Sequence, residues 1–171
     1  MTWTRYRALH PSPKAPYGMG GMEGGLVSVV GTTSTTWPAA NLAVYCPVVV
    51  TTHGTIIRFY AANGAVVSGN IDVGLYDIAG TLLVSSGSTP QAGTTAIQTF
   101  DTTDLVVGIG VFYLAVAVDN TTATIQCQTL TSAIHGKLAG FAEQTSAFPL
   151  PAVAALATFT RLIVPGIGAS F

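Results

Sequence analysis

Polar and apolar residues alternate along much of the chain with the two-residue period of a β-strand. Within Asn70–Asp77 every second side chain is aliphatic, and the positions between hold Asp72, Gly74 and Tyr76. Because successive side chains of a strand point to opposite faces, the aliphatic set is predicted to face a core and the other set to face outward. No window keeps a 3.6-residue apolar period over three turns, so the pattern predicts an all-β chain.

Nine short strands follow from such runs, and residues that favour turns separate them. The predicted strands are Leu26–Val30, Ala43–Val50, Thr55–Ala61, Asn70–Asp77, Thr81–Ser85, Ala96–Phe100, Val111–Val118, Thr124–Leu130 and Ala157–Val164. Many short strands are typical of a β-sandwich, so we predict a single jelly-roll-like β-sandwich domain over residues 26–171. One helical turn is expected within Ser132–Phe141.

The middle of the chain is predicted to form a meander. Gly80, in the segment DIAGT at residues 77–81, can take the positive φ that a tight hairpin requires. The strands that begin at Thr55 and at Val111 are the expected sheet partners of this meander.

The strand Val111–Val118 lacks the charged outer face of a half-solvated strand. Its outer positions hold Tyr113, Ala115 and Ala117. Two explanations stay open: the strand is covered on both faces, or its outer face meets another subunit.

Residues 1–25 differ from the rest, because they hold three Pro and five Gly. No regular element is expected there, since Pro lacks an N–H donor and Gly is flexible. The aromatic, Leu and Met side chains are nevertheless too apolar for a solvated tail. We predict an extended N-terminal arm that lies on its own domain, on a neighbouring copy or on another protein, and an intermolecular contact is favoured. Its predicted contact residues are Trp3, Arg5, Tyr6, Arg7, Leu9, Tyr17, Met19 and Met22.

Charged side chains make up only 8% of the 171 residues, and the net charge is −1. Soluble proteins average about 25%, so a lone monomer would be poorly protected against self-association. No apolar run reaches the roughly 20 residues of a transmembrane helix. The scattered cations form no patch for nucleic acid. We therefore predict a homo-oligomer, with a trimer favoured, and neither a membrane nor nucleic acid as partner.

Candidate catalytic and metal-binding residues are few. The three histidines accompany no G-x-S-x-G motif, and the aspartates match no D-x-D-x-D loop. Cys46 and Cys127 lie in apolar runs without a metal-ligand spacing, so buried thiols are expected, although a disulfide stays open. We predict no enzyme, no cofactor and no metal; a calcium site and a glycosidase carboxylate pair are the weaker alternatives.

Several strand residues combine aromatic rings with polar side chains. Tyr60 is predicted to share a face with Arg58, and Tyr76 with Asp72. Such mixed lining suits a sugar, whereas tyrosines equally seal contacts between subunits. We predict a glycan-binding or subunit-interface face that contains Arg58, Tyr60, Asp72, Tyr76 and Tyr113.

The run GNIDVGLYDIAGTLLVSSGS at residues 69–88 is read as a strand ending Val-Gly-x-Tyr-Asp that turns at Gly into a second strand. This pattern resembles a motif of a family of tailed-bacteriophage virion proteins, and the resemblance extends over most of the chain from Val44 to Gly168. The run GVFYLAVAVDNTTAT at residues 110–124 resembles the companion strand. The segments AFPLPA at 147–152 and LIVPGIG at 162–168 resemble the C-terminal signature.

This resemblance implies a β-sandwich of the jelly-roll kind on a phage particle, as a head decoration or cement protein, a head fibre or a receptor binder. It supplies no catalytic residues. We predict a non-enzymatic virion protein that attaches to the major capsid protein, or to other virion proteins, through its arm and its uncharged sheet faces. The alternative is a tail-tip or fibre module that recognises a bacterial surface glycan. Because both functions rest on fold analogy, they are expectations.

Overall fold

The computed structural model describes residues 20–22, 25–27 and 33–170, and nearly all regular structure in this part is β. The strands are β1 (Gly20–Met22), β2 (Gly25–Val27), β3 (Thr33–Thr36), β4 (Leu42–Val50), β5 (Gly54–Ala62), β6 (Asn70–Asp77), β7 (Leu82–Ser85), β8 (Thr89–Pro90), β9 (Ile97–Val107), β10 (Gly110–Val118), β11 (Thr124–Thr129), β12 (Ala142–Gln144), β13 (Ala157–Thr158), β14 (Ile163–Pro165) and β15 (Ile167–Ser170). One short helix, α1 (Ala133–Leu138), lies between β11 and β12.

The strands form three antiparallel sheets. Sheet A has the order β1-β2-β15-β5-β9. Sheet B has the order β13-β12-β4-β10-β6-β7, and β8 also pairs with β6. Sheet C is small and has the order β14-β11-β3. The sheets pack together as an all-β sandwich, which confirms the predicted fold class, while the jelly-roll arrangement stays a prediction.

One hydrophobic core fills the space between the sheets. Alternate residues of β4, β6 and β10 are buried in it, including Val44, Val73 and Val116. Phe59 of β5 and Ile125 of β11 enter the same core from the other sheets. The two-residue period of these strands therefore has the physical cause that the sequence indicated: one face of each strand is removed from water.

A second buried layer covers the other face of sheet B. The chain folds back over this face between β12 and β13, and we call residues 145–156 the strap. Ala147 and Leu150 of the strap are buried together with Tyr45 and Ala115 of the sheet. The outer face of β10 is thus covered within the chain at Ala115, which decides between the two explanations that the sequence left open.

Several local predictions are confirmed. Strand β6 has the predicted bounds, and the hairpin to β7 turns at Gly80 with a φ of +87°. The Thr81 N–H donates to Asp77 Oδ1 at 2.8 Å, which closes this turn. The predicted helical turn is α1, where the Ser132 side chain accepts a hydrogen bond from the Ile134 N–H.

One predicted pairing is wrong. Strand β10 pairs with β6 as expected, but the strand predicted at Thr55, which is β5, lies in sheet A between β15 and β9. The connection 51–53 carries the chain from sheet B to sheet A. Both strands have one apolar face, and such a face fits either sheet of a sandwich, so the period alone does not assign a strand to a sheet.

Three predicted bounds also need correction. Strand β9 continues beyond Phe100 to Val107, because it is an edge strand, where charged residues such as Asp101 are tolerated. The predicted strand Ala157–Val164 splits into β13 and β14, and Phe159 between them is buried. The expectation of no regular element in residues 1–25 is wrong at β1, which contains no Pro and pairs with β2 through its backbone N–H and C=O groups.

Candidate interaction surfaces

The structure separates the five residues that were predicted to form one glycan or subunit face. Arg58 and Tyr60 belong to sheet A, whereas Asp72, Tyr76 and Tyr113 belong to sheet B. Asp72 and Tyr76 are only 1% and 0% exposed. The prediction that these two residues contact a ligand or another subunit is wrong, because the strap covers them.

Polar side chains of sheet B hold the strap. The Tyr76 hydroxyl donates to the Pro151 carbonyl oxygen at 2.7 Å. Asp72 Oδ2 accepts a hydrogen bond from the Leu150 N–H at 3.0 Å. The hairpin after β6 adds backbone hydrogen bonds to the same segment. Because buried polar groups are costly when unpaired, these bonds favour one position of the strap over its alternatives.

Enclosure under the strap shifts the acid–base properties of three groups. Burial raises the pKa of the Asp72 carboxyl group, although hydrogen bonds from Leu150 and Ser86 lower it in part. Burial also raises the pKa of Tyr45 to about 12 and moves the pKa of Tyr76 upward. The two tyrosine rings meet edge to face with centroids 5.2 Å apart. Each shift follows chiefly from burial, so these groups belong to the layer that the strap removes from water.

Arg58 and Tyr60 share the outer face of sheet A, as predicted. The Arg58 side chain is 44% exposed, and its Nε lies 3.7 Å from Asp101 Oδ1. Tyr60 is half-buried and lies between Thr99 of β9 and Gly168 of β15 in the strand register. This part of the predicted face therefore exists, on the sheet that the strap does not cover.

A different surface gathers aliphatic side chains that are exposed to solvent, at the end of the sandwich where β4 and β9 end and β10 begins. We call this surface the apolar end. Its members are Val49, Ile78, Val106, Ile109, Val111 and Leu138.

Strand register places the members from sheet B side by side, and the connection from β9 to β10 joins them to the end of sheet A. Val49 and Val111 are cross-strand partners in β4 and β10. Strand β6 ends at Asp77 opposite Phe112, so Ile78 follows at the same end. Ile109 lies in the two-residue connection from β9 to β10. The apolar end is thus built by neighbouring strand ends and turns.

Helix α1 extends the apolar end beyond sheet B. Gly140 lies beside the Pro47 ring: a Cβ added to Gly140 would be 3.4 Å from Pro47 Cγ. This contact places the end of α1, with Leu138, beside the same end of β4. The exposed fraction is 44% for Val111 and 81% for Leu138. Single exposed aliphatic residues are common, whereas several at one end form an exposed apolar surface.

The opposite end of the sandwich is made of polar loops. Asp119 Oδ2 accepts a hydrogen bond from Asn70 Nδ2 at 3.2 Å, and Asn120 Nδ2 donates to the Ser68 carbonyl oxygen at 2.9 Å. Two aliphatic side chains, Val66 and Ile97, are exposed toward this end. The loops there satisfy their polar groups within the chain, so the two ends differ in chemistry.

Sequence reasoning missed the apolar end, although a signal for it was present. Residues 105–111 read LVVGIGV, so a tight connection between strands carries an aliphatic residue, Ile109, where polar residues are usual. The aliphatic residue within this connection is the signal of an exposed apolar surface.

The predicted arm contacts are not tested by the structure. The residues from Trp3 to Met19 lie outside the described residues. Met22 is described only as a backbone position in β1. The role of the arm therefore stays a prediction.

The two cysteines and the buried carboxylate Glu143 remain as candidate chemical groups. Cys46 and Cys127 are buried in the core, as expected, and form no disulfide, and burial raises the pKa of Cys127 to about 12. The Glu143 atom Oε2 lies 3.3 Å from Arg161 Nε, and the Glu143 carboxylate accepts hydrogen bonds from Thr160.

Over residues 33–170, together with the two N-terminal strands, no cluster of three or more His, Cys, Asp or Glu side chains could hold a metal ion. The helix in this same part of the chain is too short to cross a membrane.

Comparison of the chain with protein-family models, with curated proteins and with solved structures found no match.

Proposed function

We propose that the protein is a non-enzymatic structural component of a tailed-phage virion, attached to the particle through its apolar end. The resemblance of the sequence to tailed-bacteriophage virion proteins supports a location on a phage particle. The observation that carries the proposal is the group of exposed aliphatic side chains at the end of the sandwich where Ile109 lies. Such a surface is unfavourable in water and favourable against a partner.

The sheet faces contribute less to attachment than the sequence suggested. The strap covers the face of sheet B that carries Ala115 and Tyr76. An uncharged face of this kind needs no partner, because its own chain already removes it from water. The end of the sandwich is therefore the surface that we assign to the major capsid protein or to another virion protein.

Attachment by an apolar end suits a protein present in many copies. Burial of apolar area contributes about 25 cal/mol per Å². Repeated weak contacts add up when the copies are linked to one particle or to each other. A homotrimer, with arms formed by residues 1–25 on the particle, remains part of the proposal. A low content of charge fits such contacts, because interface cores are depleted of Asp, Glu and Lys.

The experiment that tests the proposal measures binding of purified protein to phage particles that lack it. Ile109→Lys and Leu138→Lys place a charge in the apolar end at exposed positions, so the fold is retained. We expect each substitution to weaken particle binding by about tenfold or more, because burial of an unpaired charge is costly.

Thr121→Lys is the matched control, since it adds the same charge to an exposed turn at the opposite end. The control is expected to bind as the unsubstituted protein does. Equal binding by all three variants would contradict attachment through the apolar end. Binding to isolated bacterial surface glycan, with no binding to particles, would support a receptor-binding module instead.

A further inference from the structure

We propose that the outer face of sheet A carries a binding platform for a neutral saccharide, centred on Tyr60. The platform consists of Arg58 and Tyr60 of β5, with Thr99 and Asp101 of β9. It is a ligand site in addition to the attachment proposed above, and it does not depend on that attachment.

The register of sheet A sets the shape of the platform. Tyr60 pairs with Thr99 on one side and with Gly168 on the other. Gly168 has no side chain, so no side chain of β15 lies directly opposite Tyr60. Arg58 and Asp101 are the next cross-strand pair on the same face. The Tyr60 ring therefore lies two residues along β5 from a hydrogen-bond donor, Arg58, and the acceptor Asp101 lies opposite Arg58 in β9.

The polar groups of the platform have unused hydrogen-bonding capacity. Arg58 Nε is itself buried, so a ligand reaches only the exposed part of this side chain, which is 44% of it. The Nε lies 3.7 Å from Asp101 Oδ1, too far for a hydrogen bond, and the Asp101 side chain is 86% exposed. The terminal amino groups of a guanidinium are donors and a carboxylate accepts several hydrogen bonds, so the pair can bind neighbouring hydroxyl groups of one ligand.

The charges select the class of ligand. The opposite charges of Arg58 and Asp101 cancel locally, so neither an anionic nor a cationic ligand gains from the pair as a whole. A single cation does not bind a row of phosphates. A pyranose has an apolar face for the Tyr60 ring and hydroxyl groups for the ion pair. A ring with a few polar groups placed beside it is typical of small-ligand sites.

The platform lies away from the apolar end. Thr99 is close to the start of β9, whereas Val106 of the apolar end is close to its finish. Because β9 has eleven residues and a strand rises about 3.3 Å per residue, a protein docked through Val106 leaves Tyr60 open. Attachment and saccharide binding are thus compatible in one molecule.

The test titrates the purified full chain with neutral sugars, namely glucose, galactose, mannose, rhamnose and N-acetylglucosamine and their short oligomers. Binding is followed by the shifts of backbone amide resonances. We expect at least one sugar to shift the amides of Tyr60, Thr99 and Gly168. Tyr60→Leu keeps an apolar side chain on the strand but removes the ring, and should weaken binding by about tenfold or more.

Tyr113→Leu is the matched control, because it removes the same ring from a half-buried position in sheet B, outside the platform, and it should bind within about threefold of the unsubstituted protein. If Tyr60→Leu does not fold, Asp101→Asn replaces it, with the same expected loss on a side chain that is 86% exposed. The proposal is overturned if no sugar of the panel shifts these amides, if the shifts lie elsewhere, or if folded Tyr60→Leu binds normally.

Discussion

Asp72 is a carboxylate in an apolar layer, and its partners explain why it is tolerated there. Oδ2 accepts the Leu150 N–H and Oδ1 accepts the Ser86 hydroxyl at 3.2 Å. These donors belong to different parts of the chain, so the side chain links β6 to the strap and to the segment after β7. Burial nevertheless dominates and raises the pKa of the carboxyl group.

Asp72→Asn is predicted to remove a pH dependence of stability. The raised pKa means that the folded chain binds the proton more tightly than the unfolded chain does. The stability that the protonated Asp72 contributes to the free energy of unfolding is therefore fully present at low pH. It is lost as the pH rises from about 4 through the pKa of Asp72 in the folded chain. The free energy of unfolding, measured by urea denaturation between pH 4 and 8, should fall less steeply with pH in the Asn variant.

Asp104→Asn is the control for this comparison, because it removes an exposed carboxylate from the edge strand β9. Its stability profile should run parallel to that of the unsubstituted protein. If the Asp72→Asn profile is parallel as well, the pKa of Asp72 does not differ between the folded and unfolded states as proposed.

At the scale of single residues, the alternation along β6 predicted the inward set correctly and the environment of the outward set incorrectly. Asp72 and Tyr76 do point away from the core. They are buried because the strap, far along the chain, lies over them. A two-residue period reports which side chains share a face, and it carries no information on what covers that face.

The strap has no regular period, and its position depends on individual hydrogen bonds and small side chains. Gly74 of β6 leaves room for it, since a Cβ there would lie 3.0 Å from Leu150 Cδ1. Ala115 and Ala117 of β10 are fully buried beneath the same layer. The small residues that the sequence left without explanation are therefore those that allow a segment of chain to lie close on the sheet.

Tyr76→Phe is predicted to destabilise the strap without disturbing the core. The substitution leaves the Pro151 carbonyl oxygen without the hydroxyl that donates to it at 2.7 Å. We expect the free energy of unfolding to fall by about 1–2 kcal/mol. Amide exchange at Leu150 should also become faster, because the strap opens more readily.

Tyr113→Phe is the matched control, since Tyr113 packs against the same buried layer and is only half-buried. Its effect should be clearly smaller than that of Tyr76→Phe. Equal losses in the two variants would mean that the hydroxyl of Tyr76 does not hold the strap.

At the scale of elements, local signals were sufficient for the hairpin at Gly80 and for the helical turn after Ser132, because turn and cap residues act over a few positions. The pairing of strands that lie far apart in the sequence could not be predicted from it. The assignment of β5 to sheet A depends on the edges offered by β15 and β9. Short strands such as β12 were missed, since they form by pairing with a neighbour and have little pattern of their own.

At the scale of the whole molecule, the sandwich has three surfaces with different chemistry. One end exposes aliphatic residues around Ile109, the other end carries polar loops around Asn120, and the outer face of sheet A carries Tyr60 and Arg58. A molecule attached through its apolar end presents the polar loops and sheet A to the surroundings. This difference in chemistry between the two ends of the sandwich is the physical basis of the proposed virion role.

The number of copies in each purified virion tests this account most directly. Quantitative mass spectrometry would compare the protein with the major capsid protein in particles of the phage that encodes it. The account predicts hundreds of copies, as repeated attachment to a shell requires. A dozen copies or fewer would contradict attachment across the shell and favour a tail tip or fibre, and a complete absence would contradict the virion role itself.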